Sequence, residues 1–248
     1  MQHASDTRQS NIVLALDFPY EKPENRQTLL KRAEHVLESA SPYVCAVKLN
    51  HHLILPFGTF NGVEKLVEKA HGMNLTAIMD CKVNDIGATN QTIAEYYYEA
   101  GFDALIANPF IGWEEGLKPI FDTAHKQQRG VILLTYMSHK AANEGYGQTV
   151  CDLATNEKTP QYIAFAKKAL TYHADGVVVG ATYPKKIREI HEILRDEIPI
   201  FTPGIGTQGG EIQAAIRAGA RYLIVGRSIV QAPDPAEAAK KILETTKT

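Results

Sequence analysis

Short apolar runs alternate with longer amphipathic stretches along the whole chain. Each run is about as long as a β-strand and is rich in Val, Ile and Leu without in–out alternation, which is typical of strands buried on both faces of a parallel sheet. The pattern predicts eight such strands, at residues 12–16, 44–49, 75–79, 104–107, 131–134, 177–179, 198–201 and 222–225.

Between these runs, apolar residues recur at helical spacing with charged residues on the opposite face. The pattern predicts helices near residues 29–37, 63–70, 163–170 and 187–194, and a last helix over about 235–246 that begins at Pro235. Alternating strands and helices over this length predict a (β/α)8 barrel of the α/β class. We expect one domain over residues 1–248, with residues 1–10 as a polar N-terminal extension.

A doubly wound sheet is the alternative fold. It is disfavoured because the first predicted strand leads into the sequence DFPY at residues 17–20 and not into a glycine-rich G-x-G-x-x-G turn. The stretch 137–160 is the longest without a clear period, and we expect a long functional or mobile loop there.

Composition narrows the class of protein. The 248 residues contain 26 Lys and Arg against 28 Asp and Glu, a formal net charge of −2, which argues against a nucleic-acid-binding or membrane-surface protein. The three cysteines, Cys45, Cys81 and Cys151, are widely spaced, so that a reducing compartment is the simplest interpretation. No signal-like or membrane-length apolar segment is present, and we expect a cytoplasmic protein without a membrane partner.

Charged residues cluster at the ends of the first three predicted strands. Asp17 ends the first, Lys48 lies in the second, and Asp80, Lys82 and Asp85 follow the third. Any one of them could be an ordinary loop residue, and Asp85 could cap the next helix. Buried charges need partners, however, so the set predicts an alternating Lys–Asp–Lys–Asp array at the mouth of the barrel.

Such an array suits one kind of chemistry. A lysine flanked by carboxylates stays protonated, so it is a poor Schiff-base nucleophile and a good proton donor. A fixed carboxylate would also repel a substrate carboxylate, by about 4 kcal/mol at about 4 Å and an effective dielectric of about 20. The array therefore favours decarboxylation followed by protonation, although the same groups could hold a metal.

Glycines after the last two predicted strands indicate a phosphate site. The seventh strand leads into TPGIGTQGG at residues 202–210, and the eighth leads into Gly226 and Arg227. Backbone N–H groups after these two strands, with a forked arginine, predict a phosphate site, which Gln208 could also reach. After the fifth strand, Ser138 could bind a polar ring edge, whereas His139 is interpreted as a structural loop residue.

Two further sequence features have less specific interpretations. The adjacent pair His51–His52 is an unpromising metal site, because neighbours on a regular element face apart, and the polar segment 49–52 has no assigned role. The run Tyr96–Tyr98 follows the third strand and is interpreted as part of a subunit interface, with ordinary packing as the alternative.

The segment AIMDCKVNDIGAT at residues 77–89 resembles the D-x-K-x-x-D-I-x-x-T signature of the orotidine 5'-monophosphate decarboxylase family. The resemblance extends over nearly the whole chain and includes the segments around residues 16–17, 47–48, 134–139, 203–210 and 225–228. The D-x-K-x-x-D core is shared with related sugar-phosphate enzymes, but the following I-x-x-T, Ser138 and Gln208 favour the orotidylate branch. The compact length is similar to that of the single-function microbial form.

The resemblance implies a role for each matching residue. Lys82 would protonate C6 of the pyrimidine, Asp80 would face the substrate carboxylate, and Lys48 would order the array and touch the ribose. The remaining implied substrate contacts are Asp17 at a ribose hydroxyl, Ser138 at the pyrimidine edge, Gln208 and Arg227 at the phosphate, and Ile86, Pro203 and Gly226. Asp85 and Thr89 would be donated to a neighbouring subunit, which implies a homodimer with shared sites. The family uses no metal and no organic cofactor.

Three other functions stay open at this stage. One is a Mg²⁺-dependent hexulose-phosphate synthase or keto-gulonate-phosphate decarboxylase that would use Asp80 as a metal ligand. The second is a non-catalytic nucleotide-binding barrel, and the third is a Schiff-base aldolase acting through Lys82.

Overall fold

Eight parallel strands close into a barrel in the computed structural model, which describes residues 1–22, 25–206 and 209–247. The strands are hydrogen-bonded in the order β1-β10-β9-β8-β5-β4-β3-β2, and the last pairs with β1. The barrel strands are β1 Ile12–Ala15, β2 Ala46–Asn50, β3 Thr76–Val83, β4 Ala104–Ala107, β5 Gly130–Tyr136, β8 Gly176–Val179, β9 Ile200–Pro203 and β10 Tyr222–Val225. Strands β6 Thr149–Cys151 and β7 Lys158–Pro160 form a separate antiparallel hairpin. The predicted single-domain (β/α)8 barrel is confirmed, and the doubly wound sheet is excluded.

The apolar runs become strands because both of their faces are buried, one inside the barrel and one under the helices. All four residues of β1, β4, β8 and β10 are buried. This explains why the runs lack the in–out alternation of a strand with one face in water.

Helices surround the barrel with their apolar faces inward. They are α1 Gln2–Arg8, α2 Arg26–Ala40, α3 His51–Phe57, α4 Glu64–Gly72, α5 Gly87–Glu99, α6 Lys118–Lys126, α7 Ala142–Tyr146, α8 Gln161–Thr171, α9 Pro184–Leu194, α10 Gly209–Arg217, α11 Arg227–Val230 and α12 Pro235–Thr246. The last begins at Pro235 as expected, and Asp234 Oδ1 accepts a hydrogen bond from the Glu237 amide at 3.0 Å to cap it. Within the described ranges, no helix is both long and apolar enough to cross a membrane.

The polar segment at the N-terminus contains helix α1, which lies against the barrel end opposite to the strand C-termini. The Tyr222 hydroxyl, at the start of β10, donates to Gln2 Oε1 at 3.1 Å, and Arg8 donates to the carbonyls of Ser41 and Met73. Ser5 is buried. The N-terminal end of the barrel is thus covered by the chain's own first turns.

Candidate active site

The C-terminal ends of the strands surround a cavity of about 740 Å³. Residues from β1, β2, β3, β5, β9 and β10, or from the loops directly after them, line it. In a (β/α)8 barrel this is the end where reactive groups from different strands converge. The cavity brings together eight of the sequence-predicted site residues: Asp17, Lys48, Asp80, Lys82, Ser138, Pro203, Gly226 and Arg227.

Four charged side chains form a continuous chain of ion pairs at the floor of this cavity. Asp80 accepts from Lys82 Nζ at 2.6 Å through Oδ1 and from Lys48 Nζ at 2.9 Å through Oδ2. Lys48 Nζ also lies 3.1 Å from Asp17 Oδ1. Lys48 is only 3% exposed and Asp80 only 8%, so the central pair is held out of water. The alternation of sign is what makes such burial tolerable.

The electrostatics keep the central pair ionised. Burial alone would lower the pKa of Lys48, but the charges of Asp80 and Asp17 outweigh burial, and the pKa is raised above its ordinary value. Burial likewise acts to raise the pKa of Asp80, but Lys48 and Lys82 outweigh it and the pKa is lowered. Both groups are therefore charged across the neutral range.

The backbone of β3 is distorted where it presents Lys82. Lys82 has φ +48°, in the left-handed region, and the pairing of β3 with β4 shifts register between Met79 and Val83. A non-glycine residue in this region is uncommon. In a regular strand, residues two apart such as Asp80 and Lys82 share one face. Here they pair where β3 is irregular, a feature that the sequence pattern does not reveal.

The residues of the predicted phosphate site line the same cavity as the lysines. Pro203 ends β9, Gly204 and Gly206 follow it, and Gly226 and Arg227 follow β10. Arg227 is also the first residue of α11, and Gly204 has φ +89°, which favours glycine. The predicted contact Gln208 lies outside the described residues.

Ser138 is held in the loop after β5 by contacts with the β8 and β9 loops. Thr182 Oγ1 donates to the Ser138 carbonyl at 3.2 Å, and a Cβ on Gly180 would lie 2.5 Å from Ser138 Cα. The next residue, His139, accepts from the Tyr183 hydroxyl at 3.0 Å through its carbonyl, which fits its interpretation as a structural residue.

Three predicted site residues are not among those that line the cavity in this chain. Asp85, Ile86 and Thr89 lie at the start of α5, and the Ile86 side chain is 65% exposed. Asp85 Oδ1 accepts from the Ile86 amide at 2.7 Å, but the N-cap residue of α5 is Ile86 and no side chain caps this helix, so the capping role considered for Asp85 is not found. Of the tyrosine run, Tyr98 is buried with its hydroxyl donating to the Gly130 carbonyl at 3.1 Å, while Tyr96 is 55% exposed.

The structure adds two cavity residues that sequence reasoning left unassigned. Asn50 donates to Asp17 Oδ1 at 2.8 Å, and His52 Nδ1 donates to the Phe18 carbonyl. The sequence indicates them only by a polar segment that directly follows Lys48 in an otherwise apolar strand. Among the described residues, no three His, Cys, Asp or Glu side chains are grouped closely enough to form a metal centre.

A closed (β/α)8 barrel with a paired lysine–aspartate array at the C-terminal ends of its strands is typical of barrel enzymes, whose active sites lie at this end. The profile of the "Orotidine 5'-phosphate decarboxylase / HUMPS" family matches residues 10–242. The chain therefore belongs to this family, and it is an enzyme of the carboxy-lyase class.

Individual relatives match this chain in sequence over almost its full length. The orotidine 5'-phosphate decarboxylase of Methanosarcina acetivorans is 37% identical over 237 residues, which cover 96% of this chain and 95% of that protein. That of Pyrococcus abyssi is 36% identical, with 94% of this chain and 97% of that protein covered. The crystal structure of orotidine 5'-monophosphate decarboxylase from Methanocaldococcus jannaschii, complexed with the inhibitor BMP, has a TM-score of 0.78 at 32% identity and covers 96% and 99% of the two chains.

Proposed function

We propose that the chain decarboxylates orotidine 5'-monophosphate to UMP without a metal or an organic cofactor. The observation that carries the proposal is the chain of ion pairs Lys82–Asp80–Lys48–Asp17, which shares one cavity with Arg227 and the glycines after β9 and β10. The ion pairs supply fixed charges at the reacting carbon, and Arg227 with the glycines supplies a binding site for the remote phosphate; the reaction requires both.

The chemistry follows from the charges. The bond between C6 and the carboxylate breaks, its electron pair stays on C6, and carbon dioxide leaves. The Lys82 ammonium delivers its proton to C6, and the resulting amine regains a proton from solvent. Asp80, held ionised by Lys48 and Lys82, repels the substrate carboxylate and loses that repulsion as carbon dioxide departs. Because the charges are already in place, the site acts by preorganised electrostatics.

In this proposal, the phosphate, ribose and pyrimidine of the substrate lie at different residues along the cavity. The phosphate would lie at Gly226 and Arg227, where a helix begins and a guanidinium is available. The pyrimidine edge would face Ser138, and a ribose hydroxyl would face Asp17 between the two. Binding energy from the phosphate can then be used for the reaction at a distant carbon. Contacts from Gln208 and Pro203 stay predictions.

The functional unit in this proposal is a homodimer with shared sites. Asp85, Ile86 and Thr89 lie outside the cavity of their own chain, and Ile86 is a large apolar side chain that is 65% exposed. A second copy packed on this surface would bury Ile86 and receive Asp85 at its own array. The exposed ring of Tyr96 on the same helix α5 fits such an interface. A reducing, cytoplasmic location fits the three unpaired cysteines.

The test is a direct assay on metal-stripped protein. Orotidylate is mixed with enzyme that has been dialysed against EDTA, and its absorbance is followed. We expect full turnover, with Lys82→Ala inactive but still binding UMP. Orotidylate turnover that is lost with EDTA and restored by Mg²⁺ would refute the metal-free mechanism, whereas no orotidylate turnover but Mg²⁺-dependent activity on a sugar phosphate would favour a sugar-phosphate enzyme. UMP binding without any turnover would favour a nucleotide-binding barrel, and borohydride trapping of Lys82 would indicate a Schiff-base aldolase.

A further inference from the structure

The polar turn at residues 50–52, which the proposed reaction does not use, is tied to the end of β1 by two separate contacts. Asn50 Nδ2 donates to Asp17 Oδ1 at 2.8 Å. His52 Nδ1 donates to the carbonyl of Phe18, the residue after Asp17. Both Asn50 and His52 line the cavity. The turn after β2 therefore holds both the side chain and the backbone at the point where β1 enters the site.

The amide of Asn50 is held in one orientation. Its Oδ1 accepts from the His52 amide at 2.9 Å, which caps α3, so its Nδ2 is the atom that faces Asp17. Reversing the amide would place an oxygen against the Asp17 carboxylate and an N–H group against the His52 N–H. Both of the side chain's functions, capping and donation, thus depend on one side-chain rotamer.

The Asp17 carboxylate is in turn divided between two roles. Oδ1 accepts from both Lys48 Nζ at 3.1 Å and Asn50 Nδ2 at 2.8 Å. Oδ2 lies on the other side, 3.6 Å from where a Cβ would stand on Gly226. Two donors on one oxygen fix the plane of the carboxylate and leave the other oxygen between the charge array and the phosphate end. A ribose that joins a base to a phosphate would lie at this position.

A neutral donor is the group that can do this without disturbing the array. Asp17 and Asp80 balance Lys48 and Lys82 in sign. A lysine or arginine at position 50 would add a positive charge and draw Asp17 away from Lys48. An aspartate there would repel Asp17. Asparagine adds a hydrogen bond and leaves the charges balanced.

We infer that Asn50 is a positioning residue, which acts through Asp17 to set how tightly the site holds the ribose hydroxyls of a nucleoside 5'-phosphate. The inference rests on the proposed function for the identity of the ligand. Asn50 itself does not touch the reacting atoms.

Asn50→Asp is the decisive variant, because an aspartate keeps the helix cap while it removes the donor to Asp17. Asn50→Ala removes both functions, and His51→Ala changes the exposed neighbouring residue as a matched control. Dissociation constants for UMP and for 2',3'-dideoxy-UMP are measured by calorimetry in all variants, also in an Asp17→Ala background. Orotidylate turnover is followed with the same preparations, and melting temperatures show that each variant is folded.

We expect Asn50→Asp to weaken UMP binding by about tenfold or more, because it removes a hydrogen bond to a charged group and also places a second carboxylate against Asp17. Binding of the dideoxy nucleotide should change less than about twofold, and Asn50→Asp should have no further effect in the Asp17→Ala background. His51→Ala should match the wild type.

Two results would overturn the inference. One is an Asn50→Asp protein that binds UMP like the wild type while Asn50→Ala is weakened, which would leave only the capping role. The other is equal weakening for both nucleotides. Absence of turnover by the wild type would refute the proposed reaction instead, and normal wild-type turnover with unaffected Asn50→Asp would refute only the role of Asn50.

Discussion

Replacing Asp80 by asparagine removes one negative charge at the centre of the array and keeps the shape of the side chain. Asp80 lies 2.6 Å from Lys82 Nζ and 2.9 Å from Lys48 Nζ, and its lowered pKa keeps it charged at neutral pH. A substrate carboxylate about 4 Å away would be repelled by about 4 kcal/mol at an effective dielectric of about 20. If that repulsion is released as carbon dioxide leaves, it contributes about three orders of magnitude to the rate.

We therefore expect Asp80→Asn to lower kcat for orotidylate by about a thousandfold without raising KM. The substrate carboxylate is no longer repelled in the ground state, so the binding of substrate is kept or improved while catalysis is lost. The dissociation constant of UMP, which has no carboxylate, should not change. Turnover is followed by absorbance and UMP binding by calorimetry.

The variant needs a stability control, because Lys48 is buried and loses one of two partners. Breaking a buried pair destabilises by about 3–5 kcal/mol when no partner remains, and Asp17 here remains. Melting temperature and the folded fraction are measured first. Asp122→Asn, which breaks the exposed Lys118–Asp122 pair at 2.6 Å, should leave stability and kinetics unchanged. A kcat within about tenfold of the wild type, or KM and the UMP dissociation constant rising together, would refute the role given to Asp80.

Three further outcomes are expected. Arg227→Ala should weaken UMP binding by about 2–3 kcal/mol and leave uridine binding unchanged. Calorimetry with the two ligands would test this, and equal loss of binding for both would contradict a phosphate contact. Asp85→Ala and Lys82→Ala proteins, each inactive alone, should regain part of the activity when mixed and refolded together, whereas no recovery would contradict sites shared between subunits. The stability difference between the wild type and Asp80→Asn in urea titrations should be constant between about pH 5 and 9. The folded pKa of Asp80 is lowered, so its contribution is lost only as pH falls below the ordinary value of 3.8, and the folded pKa of Lys48 is raised, so its contribution is lost only as pH rises above 10.5. A stability difference that disappears near pH 7 would refute this assignment.

Most of the barrel was accessible from the sequence because each strand is a short run buried on both faces. The hairpin β6–β7 was not, and the reason is physical. Its strands are three residues each, none of these residues is buried, and their pairing depends on the turn between them. Asp152 makes that turn, with Oδ1 accepting from the amides of Ala154 and Thr155 at 2.8 and 3.1 Å. Helix α1 was missed for a related reason, since its contacts are to distant carbonyls and not to an apolar stripe.

The site was predictable as a set of residue types but not as a geometry. Strand ends and sign alternation suffice to group Lys48, Asp80 and Lys82. The left-handed backbone at Lys82 depends on a register shift against β4, which no periodicity in β3 encodes. The role inferred for Asn50 depends on the side chain of Asp17, which follows β1 and lies 33 residues earlier in the chain. In the proposed homodimer, the place where Asp85 acts depends on two chains, so one sequence alone gives it only through family resemblance.

The burial of Lys48 and Asp80 has a consequence for how such a barrel evolves. Moving these ions out of water costs free energy whenever the chain folds, whether or not substrate is bound. Well-packed apolar residues of the same size often make a protein equally or more stable. A Lys48→Met/Asp80→Leu double variant could then melt at a higher temperature than its parent while doing no chemistry. Selection for thermal stability alone would therefore not keep these residues, and under the proposed function a lineage that no longer needs the reaction should lose them early.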